Sequence, residues 1–106
     1  MKEVIIPEDL EITNYGDLIV KSAFKVLKNK HYPDGIKYSF QLIRNGKRVV
    51  GYDNAYPEGH HRHFLQLKDK YEFVSLEKTT RRFYSDVKKF EKLVYEDENK
   101  KNENKD

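Results

Sequence analysis

Residues 44 to 47 read "RNGK". Asn-Gly between two β-prone runs is the preferred two-residue hairpin loop, because both central positions need positive φ. The run before it alternates: from Gly35 to Arg44, the residues Ile36, Tyr38, Phe40 and Leu42 face one way. A regular hairpin then sets Leu42 opposite Val49, Phe40 opposite Gly51 and Ser39 opposite Tyr52. In that register Tyr38, Phe40, Leu42, Val49 and Asp53 share one face of the sheet. Gln41, Ile43, Arg48, Val50 and Tyr52 share the other, which is mixed rather than apolar. A chain with this hairpin at its centre folds around an antiparallel sheet.

The flanking segments extend that sheet. Asp17 to Lys28 alternates, with Leu18, Val20, Phe24 and Val26 on one side and Ile19, Lys21, Ala23 and Lys25 on the other, a strand with one buried face. "YPDG" at 32 to 35 follows as a turn, with Pro preset for its second position and Gly at its fourth. Tyr56 to Gly59 reads as a loop, His61 to Leu67 as a returning strand and Tyr71 to Val74 as one more short strand. From Ser75 the period changes. Phe83, Val87, Phe90 and Val94 fall at helical spacing, with Tyr84 and Leu93 widening the stripe and Arg81, Arg82, Lys88, Lys89 and Lys92 opposite it. Ser75 or Thr79 would cap that helix. The expected fold is α+β, an antiparallel meander of about four to five strands with one long C-terminal helix packed on one face. Residues 1–16 form an N-terminal arm or edge strand, 17–96 the single domain, and 97–106 a disordered charged tail.

Charge is unevenly spread. The chain holds 21 basic and 18 acidic residues, but its first eleven residues carry four acids and one lysine, and its last eleven carry five acids and three lysines. Between Ile12 and Tyr95 that leaves 17 basic residues against 9 acidic, a balance that suits a polyanion or an acidic protein partner. A solvated surface rich in Lys and Glu gives the same count. No cysteine is present, which excludes disulfides and thiolate metal sites. No apolar run approaches a membrane span and the N-terminus is too acidic for a targeting peptide, so a soluble cytoplasmic protein is expected.

Chemistry concentrates in "YDNAYPEGHHRHF", residues 52 to 64, which hold three of the four histidines. In a strand, His61 and His63 share one face while His60 and Arg62 take the other. Two imidazoles at that spacing can both reach one zinc or manganese ion, with Asp53 or Glu58 adding a carboxylate. The same residues suit metal-free cleavage of RNA. His61 and His63 would serve as the acid–base pair, with Asp53 orienting a histidine and Arg62 or Arg48 on the phosphate. Tyr52 and Tyr56 would stack on bases, and Asn54 and His60 would complete the substrate contacts. The plain alternative is that Asp53 and Asn54 cap a turn and the histidines face solvent. A non-enzymatic module gripping nucleic acid through its basic sheet and helix is the other reading.

Three segments together resemble the TumE family of small toxins. They are the hairpin "KYSFQLIRNGKRVVGYDNA" with its "YDN" end, a "G-x-HRH" core at Gly59, His61, Arg62 and His63, and "YEFVSLEKTTRRFYSDVKKF" with an "F-x-x-D-V" step at Phe83, Asp86 and Val87. Two positions depart from the family pattern. His60 stands where Asp is common, and Gly51 stands where an Arg precedes "YDN", which removes a candidate phosphate ligand and leaves Arg48 on the same hairpin. The resemblance implies the toxin of a type II toxin–antitoxin pair, held inactive by a cognate protein antitoxin. With the residue chemistry beside it, the expected activity is that of a small endoribonuclease needing no cofactor, with RNA as its other partner. A divalent metal is the alternative cofactor, and a homodimer through an exposed sheet edge is compatible with this plan.

Overall fold

The Asn-Gly loop forms as the sequence dictates. In the computed structural model, which describes residues 3–96, Asn45 and Gly46 take φ of 52° and 75° and join two long strands. Six antiparallel strands follow one another in a single sheet: β1 (Glu3–Ile12), β2 (Leu18–Lys25), β3 (Ile36–Arg44), β4 (Lys47–Asp53), β5 (His61–Phe64) and β6 (Leu67–Lys70). Helix α1 (Leu76–Glu91) crosses one face and runs on as a π-helical stretch, Lys92–Glu96. The class is the expected α+β meander with a C-terminal helix, and it has one more strand than expected. The charged tail at 97–106 lies outside the described residues. Among the described residues no helix is long and apolar enough to cross a membrane.

The register of the central hairpin differs from the regular one by a single residue. Arg44 pairs with Lys47 and Ile43 with Arg48, but Leu42 then pairs with Val50, so Val49 is the extra residue of a bulge. Beyond it every β4 side chain changes face. Val50 and Tyr52 join Tyr38, Phe40 and Leu42 in the core, where all five are buried, while Gly51 and Asp53 move to the opposite face. The reason is burial: the regular register would put Gly51 and Asp53 under the helix. Enclosing Val50 alone is worth about 2 kcal/mol.

The buried side of β2 is that of Ile19 and Ala23, which pair with Leu42 and Tyr38 of β3. Lys21 lies between them and is tolerated because its Nζ sits 4.8 Å from the centre of the Tyr84 ring. The turn at 32 to 35 closes through Gly35 N–H donating to the Tyr32 carbonyl at 3.0 Å. The sixth strand is Leu67–Lys70 rather than Tyr71–Val74. Tyr71 and Phe73 instead turn their rings onto Tyr52 and Tyr38, at centroid distances of 4.9 and 5.4 Å.

Helix α1 starts where Ser75 accepts from the Lys78 N–H at 3.1 Å, so Ser75 rather than Thr79 is the cap. Its stripe of Phe83, Val87 and Phe90 is buried against the sheet as the spacing predicts. The helix covers one face only. The other face of β3, β4 and β5 stays open, and the bulge has delivered Asp53 to it.

Candidate active site

Strand alternation and the β4–β5 register assemble the cluster. Asp53 pairs with His61 and Gly51 with His63, so the carboxylate and both imidazoles lie on the face away from the helix, where all three are buried. Arg62, between the histidines, faces α1, as alternation requires. The Nε2 atom of His61 is 3.2 Å from Asp53 Oδ1 and 3.6 Å from Glu58 Oε2, while its Nδ1–H donates to the Gly59 carbonyl at 2.7 Å. Both nitrogens of this ring therefore face oxygen, a pattern fully satisfied when both carry protons.

His63 presents the opposite pattern. The guanidinium of Arg48 can only donate, and its Nη2 lies 3.1 Å from His63 Nδ1, so that nitrogen is the acceptor and the neutral ring carries its proton on Nε2. The Nε2 atom is buried with no hydrogen-bond partner and sits 3.9 Å from Asp53 Oδ2. Burial first, then the positive charge of Arg48, holds the His63 pKa below the ordinary imidazole value, against the pull of Asp53. The two rings lie 4.7 Å apart and nearly perpendicular.

Arg48 reaches His63 because position 51 is glycine. A Cβ on Gly51 would stand 2.8 Å from Arg48 Cδ, so the arginine lies across the space that a side chain at 51 would occupy. A guanidinium is thus supplied from three residues earlier in the same strand. Its Nη1 is 4.0 Å from Asp53 Oδ2, with the side chain more than a third exposed. The cluster floors a cleft of about 390 Å³ walled by Lys37, Ser39, Gln41, Tyr56 and Lys68. Lys68 pairs with Glu58, and that hydrogen bond lowers the Glu58 pKa.

The structure gathers Asp53, His61, His63 and Arg48, keeps Tyr56 and Glu58 in the wall of the same cleft, and turns Tyr52, Asn54, His60 and Arg62 to other partners. Tyr52 is fully buried on the helix side, its hydroxyl donating to Asp86 Oδ2 at 2.7 Å, which leaves no ring face for a base. Arg62 Nε donates to the same oxygen at 2.6 Å. Asn54 braces β3, donating to the Ile36 carbonyl at 2.7 Å and accepting from the Tyr38 N–H at 3.0 Å. His60 sits between the Tyr38 hydroxyl at 3.0 Å and Asp34 at 2.8 Å, stacked on Phe73.

Residue chemistry alone gave no role to Asp86, though an acid inside an apolar helical stripe marks a buried polar partner. Burial, then the acceptor Asp86, pushes the Tyr52 pKa up to about 12. The Asp86 hydrogen bond raises that of Arg62. One carboxylate on α1 thus holds β4 at the residue before Asp53 and β5 at the residue between the histidines.

Ligand atoms of Asp53, His61 and His63 all lie within 4.8 Å of one another, close enough to hold a divalent ion. The His61 Nδ1–H bond to a carbonyl suits a metal-ligating imidazole. Arg48 suits one less well, since it fixes the proton of neutral His63 on Nε2 and places a cation beside Asp53.

No curated protein and no solved structure matches the chain. A family model described as toxin TumE matches residues 3–91, the whole sheet and helix together. The chain therefore belongs to the TumE toxin family, as a toxin component of a toxin–antitoxin system, which implies an antitoxin as its partner.

Proposed function

We propose that this toxin is an endoribonuclease that cleaves RNA in the cytoplasm by metal-independent acid–base chemistry at His61 and His63. The observation that carries the reading is the contrast between two adjacent imidazoles. One faces oxygen through both nitrogens, and the other keeps an acceptor nitrogen turned toward a partly exposed arginine. A phosphodiester entering the cleft draws the Arg48 guanidinium from His63 Nδ1 onto its own oxygens. The freed nitrogen takes the 2′-hydroxyl proton as that oxygen attacks phosphorus. The bond from phosphorus to the 5′-oxygen breaks, and His61 Nε2 delivers a proton to the leaving oxygen. The products are a 2′,3′-cyclic phosphate and a free 5′-hydroxyl. The Gly59 carbonyl holds the His61 ring through Nδ1–H, Asp53 aligns Nε2–H until the leaving oxygen takes its proton, and Lys37 and Lys68 attract the backbone.

General acid–base catalysis is worth roughly 10²–10⁴-fold. His61→Ala and His63→Ala should each lower RNA cleavage by purified toxin by about that factor, relieve growth arrest, and leave the melting temperature within a few degrees. Full cleavage by both variants would remove the reading. Convergence of three ligand atoms favours a second version, in which a divalent ion on Asp53, His61 and His63 assists the reaction. Metal analysis of untagged protein, with cleavage assayed in chelator, separates the two.

A further inference from the structure

At the end of the sheet where β4 begins and β5 finishes lies a second groove of about 650 Å³, with walls from Val49, Phe64, Leu65 and Leu67 and cations Lys47 and Arg48 on its rim. Its lining contains no acid. Leu65 and Leu67 are 47% and 64% exposed and lie together on this one groove. Leu65 also holds φ of +56° in the β5–β6 loop, a conformation that glycine or asparagine adopts at less cost. A strained backbone that presents a bare leucine marks a surface kept for something other than stability.

We infer that this groove is where the antitoxin docks, through an acidic segment with leucine-like anchors, and that the docked acid withdraws Arg48 from His63. Charge and apolarity together select that occupant. Residues 97–106 are acidic but contain no apolar residue to fill the groove. The acidic strand β1 of a second copy, with exposed Val4, Leu10 and Ile12, is the rival occupant, which sedimentation tells apart. Arg48 lines both the groove and the catalytic cleft, so a carboxylate at the rim competes directly with His63 and Asp53 for the same guanidinium. β6 is the outermost strand, and among the described residues nothing pairs with its outer edge, which leaves backbone groups free for an extended segment. Docking rests on family membership and the groove's lining, not on the cleavage chemistry; the effect on Arg48 rests on the acid–base reading.

The test uses the full-length toxin and the antitoxin encoded beside it, titrated in solution without RNA. Leu65→Gly relieves the positive φ while deleting the anchor, and Lys47→Glu reverses a rim charge; neither residue lines the catalytic cleft. Each variant should bind antitoxin at least tenfold more weakly, and each should still arrest growth when antitoxin is co-expressed. Affinity within twofold of wild type for both would overturn the docking site. So would sedimentation showing that the changes dissociate a toxin dimer while antitoxin affinity stays unchanged, since the groove would then join copies of this chain. Antitoxin should also shift the His63 ring signals in the NMR spectrum. Tight binding that leaves those signals in place overturns the Arg48 mechanism without touching the docking site or the cleavage chemistry.

Discussion

Gly51 and Arg48 act as a pair. The arginine side chain lies where a Cβ at 51 would press to 2.8 Å, and from there it reaches both His63 and Asp53. Gly51→Ala should therefore displace a side chain already in part solvated, at a stability change under about 1 kcal/mol. RNA cleavage should fall at least tenfold, because the phosphate loses its arginine. Parallel melting curves and initial rates check this; an alanine variant with full activity would show that Arg48 need not lie there. His63 is the more sensitive partner, since its Nε2 is already buried without a hydrogen bond.

Helix α1 does more than cover a sheet face, because Asp86 accepts from both Tyr52 and Arg62. Asp86→Ala would strand a buried hydroxyl and remove the main partner of Arg62, at a cost of about 3 kcal/mol readable by urea unfolding. Tyr52 adds a pH signature. Its pKa is pushed from 10.0 in the unfolded chain to about 12 in the fold, so its contribution is complete below pH 10 and is lost as pH rises toward 12. Tyr52→Phe should flatten that alkaline decline, and an unchanged decline would contradict the raised pKa of the buried hydroxyl. The hairpin loop, the helix stripe and the split of "HHRH" across two faces were legible from residues 44–47, 83–90 and 60–63, because each depends on local geometry. The bulge at Val49 was not, since the register turns on whether Tyr52 or Asp53 faces the helix, and only the docked helix decides that. β6 was hidden because "LKDK" carries three charges and buries no side chain that would mark a face.

The molecule as a whole leaves one sheet face without a helix and sets His61 and His63 there, with Lys37, Arg48 and Lys68 around them. The placement of Asp53, His61, His63 and Arg48 on that face follows from strand period once the bulge is known, whereas the burial of Tyr52, Arg62 and Asn54 depends on contacts no local pattern reveals. Three cations on a single-stranded ligand give an expected slope of about −2 for log affinity against log salt concentration. RNA titrations between low and physiological salt measure it, and a flat response would remove the basic cleft from binding. The most direct measurement is incubation of purified toxin, in chelator, with an RNA and its fully 2′-O-methylated counterpart, followed by analysis of the product ends. Cleavage of the RNA alone, leaving a 2′,3′-cyclic phosphate and a 5′-hydroxyl, is the predicted result. Cleavage of the methylated strand, or none of the RNA until a divalent metal is restored, would contradict the metal-independent acid–base account.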